Sequence, residues 1–171
     1  MMMATSTEMT VVADRHLAAR EAADEQQYLT FNLAGEQYGI DILKVQEIRG
    51  WTPVTRIPNV PSFVRGVMDL RGAVVPIIDL RTMFSMETRA WSQKTVFIVV
   101  TLENKAIGLV VDAVSDVLDV SPTNIAPPPE FAGQSTTFLT GLAKSGERLV
   151  LLLDIQALLH DATSASPELP S

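Results

Sequence analysis

Leu29, Phe31 and Leu33 alternate with Tyr28, Thr30 and Asn32, the two-residue period of a half-buried strand. Gly35–Glu36 marks a tight turn into Tyr38–Ile42, a hairpin connection, and Ile42–Glu47 has the spacing of a single helical turn. A second hairpin is predicted over Val64–Leu70, the turn Arg71–Gly72 and Ala73–Ile78. Pro76 has no N–H to donate, which places its strand at an edge or at a bulge. The same pattern returns as Val96–Leu102, the turn Glu103–Asn104 and Ala106–Val111, then Thr137–Ala143 and Arg148–Leu153. Short strands separated by turns at intervals of roughly 8–12 residues predict small barrels. Asp154 before Ile155–His160 has the character of an N-cap opening a short C-terminal helix, and Asp79 before Leu80–Phe84 repeats the device. The least constrained stretches are Phe84–Lys94 and Ser121–Thr136, the latter stiffened by Pro127, Pro128 and Pro129.

The return is a duplication. Gln27–Ile48 reappears as Val96–Val117, with Gly39 falling on Gly108, Val45 on Val114 and Glu47 on Asp116. Val64–Phe84 matches Leu139–Leu159, with Gly66 on Gly141 and Asp79 on Asp154. The offsets, 69 and 75, differ by six residues, so the order of elements is kept. A module of about 65 residues sits near the lower limit for independent folding, which predicts a packed seam between the halves. The expected division is a first barrel over about 27–84 and a second over about 95–154 with a helix at 155–160. Residues 1–26 and 161–171 read as mobile acidic tails. Two like halves offer two like surfaces, an arrangement suited to bridging partners.

Charge sharpens this picture. The 171 residues carry 13 Lys/Arg and 20 Asp/Glu, a net of −7. The tails hold 2 Lys/Arg against 7 Asp/Glu, leaving 11 against 13 in residues 27–160. A nearly neutral folded part lacks the basic face that nucleic acid or an anionic membrane requires. The absence of cysteine removes disulfides and thiolate chemistry and fits a reducing compartment. No basic start followed by an apolar run opens the chain, and no apolar stretch reaches 18 residues, so the expectation is a cytosolic protein with no direct membrane insertion.

Catalytic chemistry finds little support. The two histidines, His16 and His160, lie in a tail and at a helix end. Asp79 and Asp154 sit at capping positions, and Asp41 and Asp112 close strands, which favours capping over a carboxylate pair. The glycines fall at turns or inside strands, and none opens a phosphate-cradling loop. The expectation is no enzyme, no metal and no cofactor. The second faces of the equivalent strands are more telling: Tyr28, Thr30 and Asn32 in one copy, Phe97, Val99 and Thr101 in the other. A strand apolar on both faces must be covered, either by the other half of the chain or by a partner in a docking groove.

At YGIDILKVQEIRG (38–50) and RGVMDLRGAVVPIIDLR (65–81), with VTRIPNVPSFVRG, GLVVDAVSDVL, APPPEF and FLTGLAKSGERLVLLLDI, the chain resembles the CheW-type chemotaxis coupling proteins. The resemblance runs through residues 27–160 in unbroken motif order. It implies a mainly β fold of two packed five-stranded SH3-like barrels. It implies an adaptor that ties the cytoplasmic tips of chemoreceptors to the regulatory domain of the histidine kinase CheA, at receptor arrays on the inner face of the membrane. Carried over position by position, the receptor-binding residues are Ile42, Val45, Glu47, Gly66, Arg71 and Val96, with Glu47–Arg71 an ion pair. The kinase-binding residues are Arg56, Ile57, Glu130 and Phe131. The duplication further predicts two kinase-contacting ends, Trp51–Phe63 and Ser121–Thr137. The alternatives are an adaptor of a related two-component pathway not serving motility, and a small barrel hydrolase using Asp41 and Asp112.

Overall fold

The computed structural model describes residues 25–128 and 138–164. Among the described residues, eleven strands fall in two sheets. They are β1 (Gln26–Leu33), β2 (Glu36–Asp41), β3 (Val45–Arg49), β4 (Val64–Leu70), β5 (Ala73–Asp79), β6 (Val96–Leu102), β7 (Lys105–Val111), β8 (Ala113–Val120), β9 (Ile125–Ala126), β10 (Leu139–Ser145) and β11 (Arg148–Leu153). Helix α1 (Leu80–Met83) follows β5 and helix α2 (Ile155–Ser164) follows β11. Their N-caps are the anticipated ones: Asp79 Oδ1 accepts from Arg81 N at 3.0 Å, and Asp154 Oδ1 from Ala157 N at 3.1 Å.

The hairpins form where turn-compatible residues interrupt runs of Val, Ile, Leu and Phe. Both central turn residues have positive φ at Ala34–Gly35 (54° and 86°), Arg71–Gly72 (51° and 90°) and Glu103–Asn104 (50° and 67°). That backbone twist matches the twist of the flanking strands. Pro76 pairs only with β4, because the parallel ladder between β5 and β7 starts one residue later, at Ile77 opposite Gly108.

Sheet membership does not follow the halves of the chain. One sheet runs β3-β6-β7-β5-β4 and the other β8-β1-β2-β11-β10-β9. The first is called barrel I and the second barrel II, small barrels of SH3-like type. Each takes its opening hairpin from the opposite half: β6–β7 completes barrel I, and β1–β2 completes barrel II. The division at 27–84 and 95–154 is therefore corrected. It marks the repeat in sequence, whereas each barrel is built from both halves. Under the sequence equivalence the two strand orders are the same. The bridge Thr55–Val67 in barrel I even matches the β9–β10 pairing of Ala126 with Leu142.

This exchange explains the strands that are apolar on both faces. Leu29, Phe31 and Leu33 join Ile98, Val100, Leu109 and Val111 from the other barrel in a seam cluster of 17 buried residues. The opposite faces fill the barrel interiors, with Phe97 and Val99 among 7 buried residues in one and Tyr28 among 6 in the other. At about 1.5–3 kcal/mol for each fully buried large apolar side chain, the seam outweighs either interior. The half-buried reading of β1 is thus corrected: Tyr28 and Thr30 are buried as well. Thr30 tolerates this because its hydroxyl bonds Asp116. A stacked series, Phe31–Tyr38–Phe84–Phe138, adds ring contacts at centroid separations of 5.9, 6.0 and 5.4 Å.

Asp112 clasps the seam. Its carboxylate accepts from Arg81 Nε at 2.9 Å and Nη2 at 2.7 Å, and from the amide of Ala34, in the β1–β2 turn of barrel II, at 2.9 Å. Arg81 also donates to the carbonyl of Glu87 at 2.7 Å, pinning the segment after α1. The Arg81 guanidinium holds the Asp112 carboxyl below the usual carboxylate range, against the opposing effect of burial.

Candidate partner-binding surfaces

The segment between β2 and β3 is a 3₁₀ turn, Ile42–Lys44, closed by Asp41 Oδ1 accepting from Leu43 N at 2.9 Å. The predicted helical turn is therefore shorter than expected. Val45 is already extended, and the β-branched Val45 and Ile48 favour the strand that carries Glu47. Ile42, Val45 and Val96 are all half-buried and pack on the rim of the seam cluster. Val45 lies in the β3–β6 ladder, Val96 opens β6, and Ile42 precedes β3 in the 3₁₀ turn. Val45 pairs with Val100, while Val96 lies four residues along β6 from that partner, about 13 Å by strand rise, with Ile98 on the same face between them.

Glu47 pairs with Val99 in that ladder, beside a bulge between Val45 and Glu47. Its carboxylate accepts from Arg71 Nη2 at 2.9 Å and from Arg49 Nη1 at 3.2 Å. Those two hydrogen bonds, Arg71 first, hold the Glu47 carboxyl below its ordinary value. Arg71 reaches it from the β4–β5 turn, where its own backbone is left-handed, and its side chain stays 64% exposed.

Gly66 lies elsewhere. It is buried at a bulge in β4 with φ +143°, and a Cβ there would stand 2.2 Å from Thr55 O. Its neighbours are Val54 and Thr55, so it anchors the Trp51–Phe63 segment through the bridge in which Thr55 and Val67 exchange two 2.8 Å hydrogen bonds. Arg56, exposed, and Ile57, half-buried, follow directly on that anchored stretch. Glu130 and Phe131 lie outside the described residues.

Sequence reasoning passed over a second ion pair. Asp116, the counterpart of Glu47, accepts from Arg148 Nη1 and Nη2, both at 3.2 Å, so each barrel ties its third strand to its last hairpin by a guanidinium. It also passed over exposed apolar side chains. Ile48 and Val74 in barrel I have Val117 and Leu149 as their counterparts in barrel II, and Leu43 projects from the 3₁₀ turn at 87% exposure. The duplication was the signal for all four strand positions, since they fall at the repeat offsets. The pair a hydrolase would use is engaged otherwise: Asp41 caps the 3₁₀ turn, and Asp112 is bound to Arg81. Among the described residues no helix is long and apolar enough to cross a membrane.

Comparison with known proteins agrees with this architecture. The CheW-like domain family matches residues 27–163. A chemotaxis protein CheW of Klebsiella aerogenes is 52% identical over 141 residues, covering 82% of this chain and 85% of that protein. The FrzA protein of Myxococcus xanthus is 32% identical over 152 residues, covering 87% and 94%. The crystal structure of the scaffolding protein TtCheW from Thermoanaerobacter tengcongensis superposes with a TM-score of 0.73 at 34% identity, covering 78% of this chain and 91% of that one. With two SH3-like barrels, matched motifs and these relatives, the chain belongs to the CheW-like domain family.

Proposed function

We propose that this protein is a non-enzymatic chemotaxis adaptor that couples chemoreceptor cytoplasmic tips to the regulatory domain of the kinase CheA, at arrays on the inner face of the membrane. The observation that carries the reading is the half-buried row Ile42, Val45 and Val96, with Glu47 held by Arg71 beside it. An apolar row next to a fixed charge pair suits an amphipathic helix: the row supplies burial and the pair sets orientation. Receptor contact falls on this row. Gly66 contributes by holding the Trp51–Phe63 segment, and Arg56 and Ile57 form one kinase-facing end. Glu130 and Phe131 complete the other.

Arg71→Glu tests the reading. It places like charges opposite one another, whereas loss of an exposed ion pair alone stabilises or destabilises by only about 0–1 kcal/mol. The expected result is a receptor-tip affinity at least about tenfold weaker with a melting temperature close to wild type. Wild-type affinity in this variant would contradict the assignment.

A further inference from the structure

Each barrel has a cleft where its last strand runs into its helix, and the two clefts are equivalent by the duplication. In barrel I the space is occupied from within. Arg65 Nη1 donates to Asp79 Oδ2 at 3.0 Å, and the Arg65 guanidinium lies 4.9 Å from the ring centre of Trp91. Trp91 in turn meets Phe97 edge-on at 5.5 Å. What remains is a cleft of about 170 Å³. In barrel II the helix-capping carboxylate is kept as Asp154, but Thr140 stands where barrel I has Arg65, and Tyr28 where it has Phe97. Trp91 has no counterpart among the described residues. The cleft is correspondingly larger, about 360 Å³, and is lined by Gln26, Tyr28, Asp41, Thr140, Asp154 and Gln156, with Lys44 also on its wall.

The two capping carboxylates are used differently. Asp79 gives one oxygen to its helix and the other to Arg65. Asp154 gives Oδ1 to the amide of Ala157 and lines a cleft in which the arginine has been replaced by threonine. Two carboxylates against one ammonium leave the cleft net negative. We propose that the barrel II cleft binds an arginine side chain, whose guanidinium takes the place against Asp154 Oδ2 that Arg65 takes against Asp79 and packs beside the Tyr28 ring. A planar guanidinium matches a carboxylate flanked by an aromatic ring better than an ammonium does. The site borders the 3₁₀ turn that carries Ile42, because Asp41 and Lys44 stand on its wall, but its ligand chemistry rests on Asp154 and Tyr28 and not on the receptor assignment.

The test titrates N-acetyl-arginine amide into the full-length protein and follows backbone amide resonances, with N-acetyl-citrulline amide as the uncharged isostere. The expected result is saturable shifts at Gln26–Tyr28, Thr140 and Asp154–Gln156 with arginine and none with citrulline. Asp154→Asn keeps an oxygen that can cap the helix and should weaken the arginine probe about tenfold. Thr140→Arg supplies the guanidinium from inside the chain, so it should abolish probe binding and raise the melting temperature. Removing the chain's own arginines at 15 and 20, in Arg15→Gln/Arg20→Gln, distinguishes the source. Tighter probe binding assigns the natural guanidinium to this chain, and unchanged binding assigns it to a partner. Absence of saturable shifts, equal shifts with citrulline, or full affinity retained in Asp154→Asn would overturn the proposal.

Discussion

At Gly66 the backbone carries a φ of +143° with a carbonyl oxygen 2.2 Å from where a Cβ would stand. No flexible side chain is available to move aside, because the obstacle is the main chain of Thr55. Gly66→Ala must therefore break the Thr55–Val67 bridge or displace β4, an effect in the range of about 1–3 kcal/mol for a strained backbone position. The expected outcome is a lower denaturation midpoint together with faster amide exchange at Thr55 and Val67. Wild-type exchange at both amides would show that the bulge absorbs a side chain after all. The resemblance singled out Gly66 as a position on which binding depends. Its physical role, anchoring a loop, was not, because sequence spacing does not reveal which carbonyl approaches from another segment.

At the scale of elements, hairpin positions and caps were readable because they rest on local chemistry: turn residues at 71–72 and 103–104, and Asp79 and Asp154 before their helices, while the first turn falls at Ala34–Gly35, one residue before the expected Gly35–Glu36. The Ile42–Glu47 turn was overextended, since apolar spacing over so few residues fits either a helical turn or the start of a strand. β8 was not predicted at all. Its exposed Ser115, Asp116 and Val117 weaken the alternation, and its pairing with β1 is long-range. The Arg81–Asp112 contact likewise joins residues from different halves and has no local signature. It is also a two-pronged and largely buried tie between elements. Asp112→Asn leaves a buried guanidinium without its counter-charge and should cost about 2–4 kcal/mol in chemical denaturation. Because the folded carboxyl titrates below its unfolded value near 3.8, the stabilisation is fully present above that pH and is lost as pH falls through the lower folded value. The wild-type advantage over Asp112→Asn should hold steady from neutral pH to about 5 and shrink below about 4. An advantage that grew on acidification would contradict the pairing.

For the whole molecule, the duplication foretold two like barrels and a packed seam, and topology supplied what it could not: each barrel borrows its opening hairpin from the other half. Pairing partners far apart in sequence leave no mark in periodicity, so exchange and simple succession of the halves look alike in the chain. The consequence is testable. Residues 1–88 and 89–171 made as separate chains should each lack cooperative unfolding, because neither contains a complete sheet, and should recover it when mixed. A half that melted cooperatively by itself would refute the exchanged arrangement.

Separate surfaces on one interleaved fold are the central claim of the proposed adaptor. Val45 is half-buried at the rim of the seam, so Val45→Asp puts an unpaired charge into a surface that must lose its water when a partner docks. The deciding measurement is the affinity of this variant for a receptor-tip fragment and for a kinase regulatory domain, determined side by side with wild type. The account predicts loss of receptor binding with kinase affinity kept within about threefold, a difference of less than 1 kcal/mol. Retention of receptor binding, or loss of both partners with an unchanged melting profile, would contradict it.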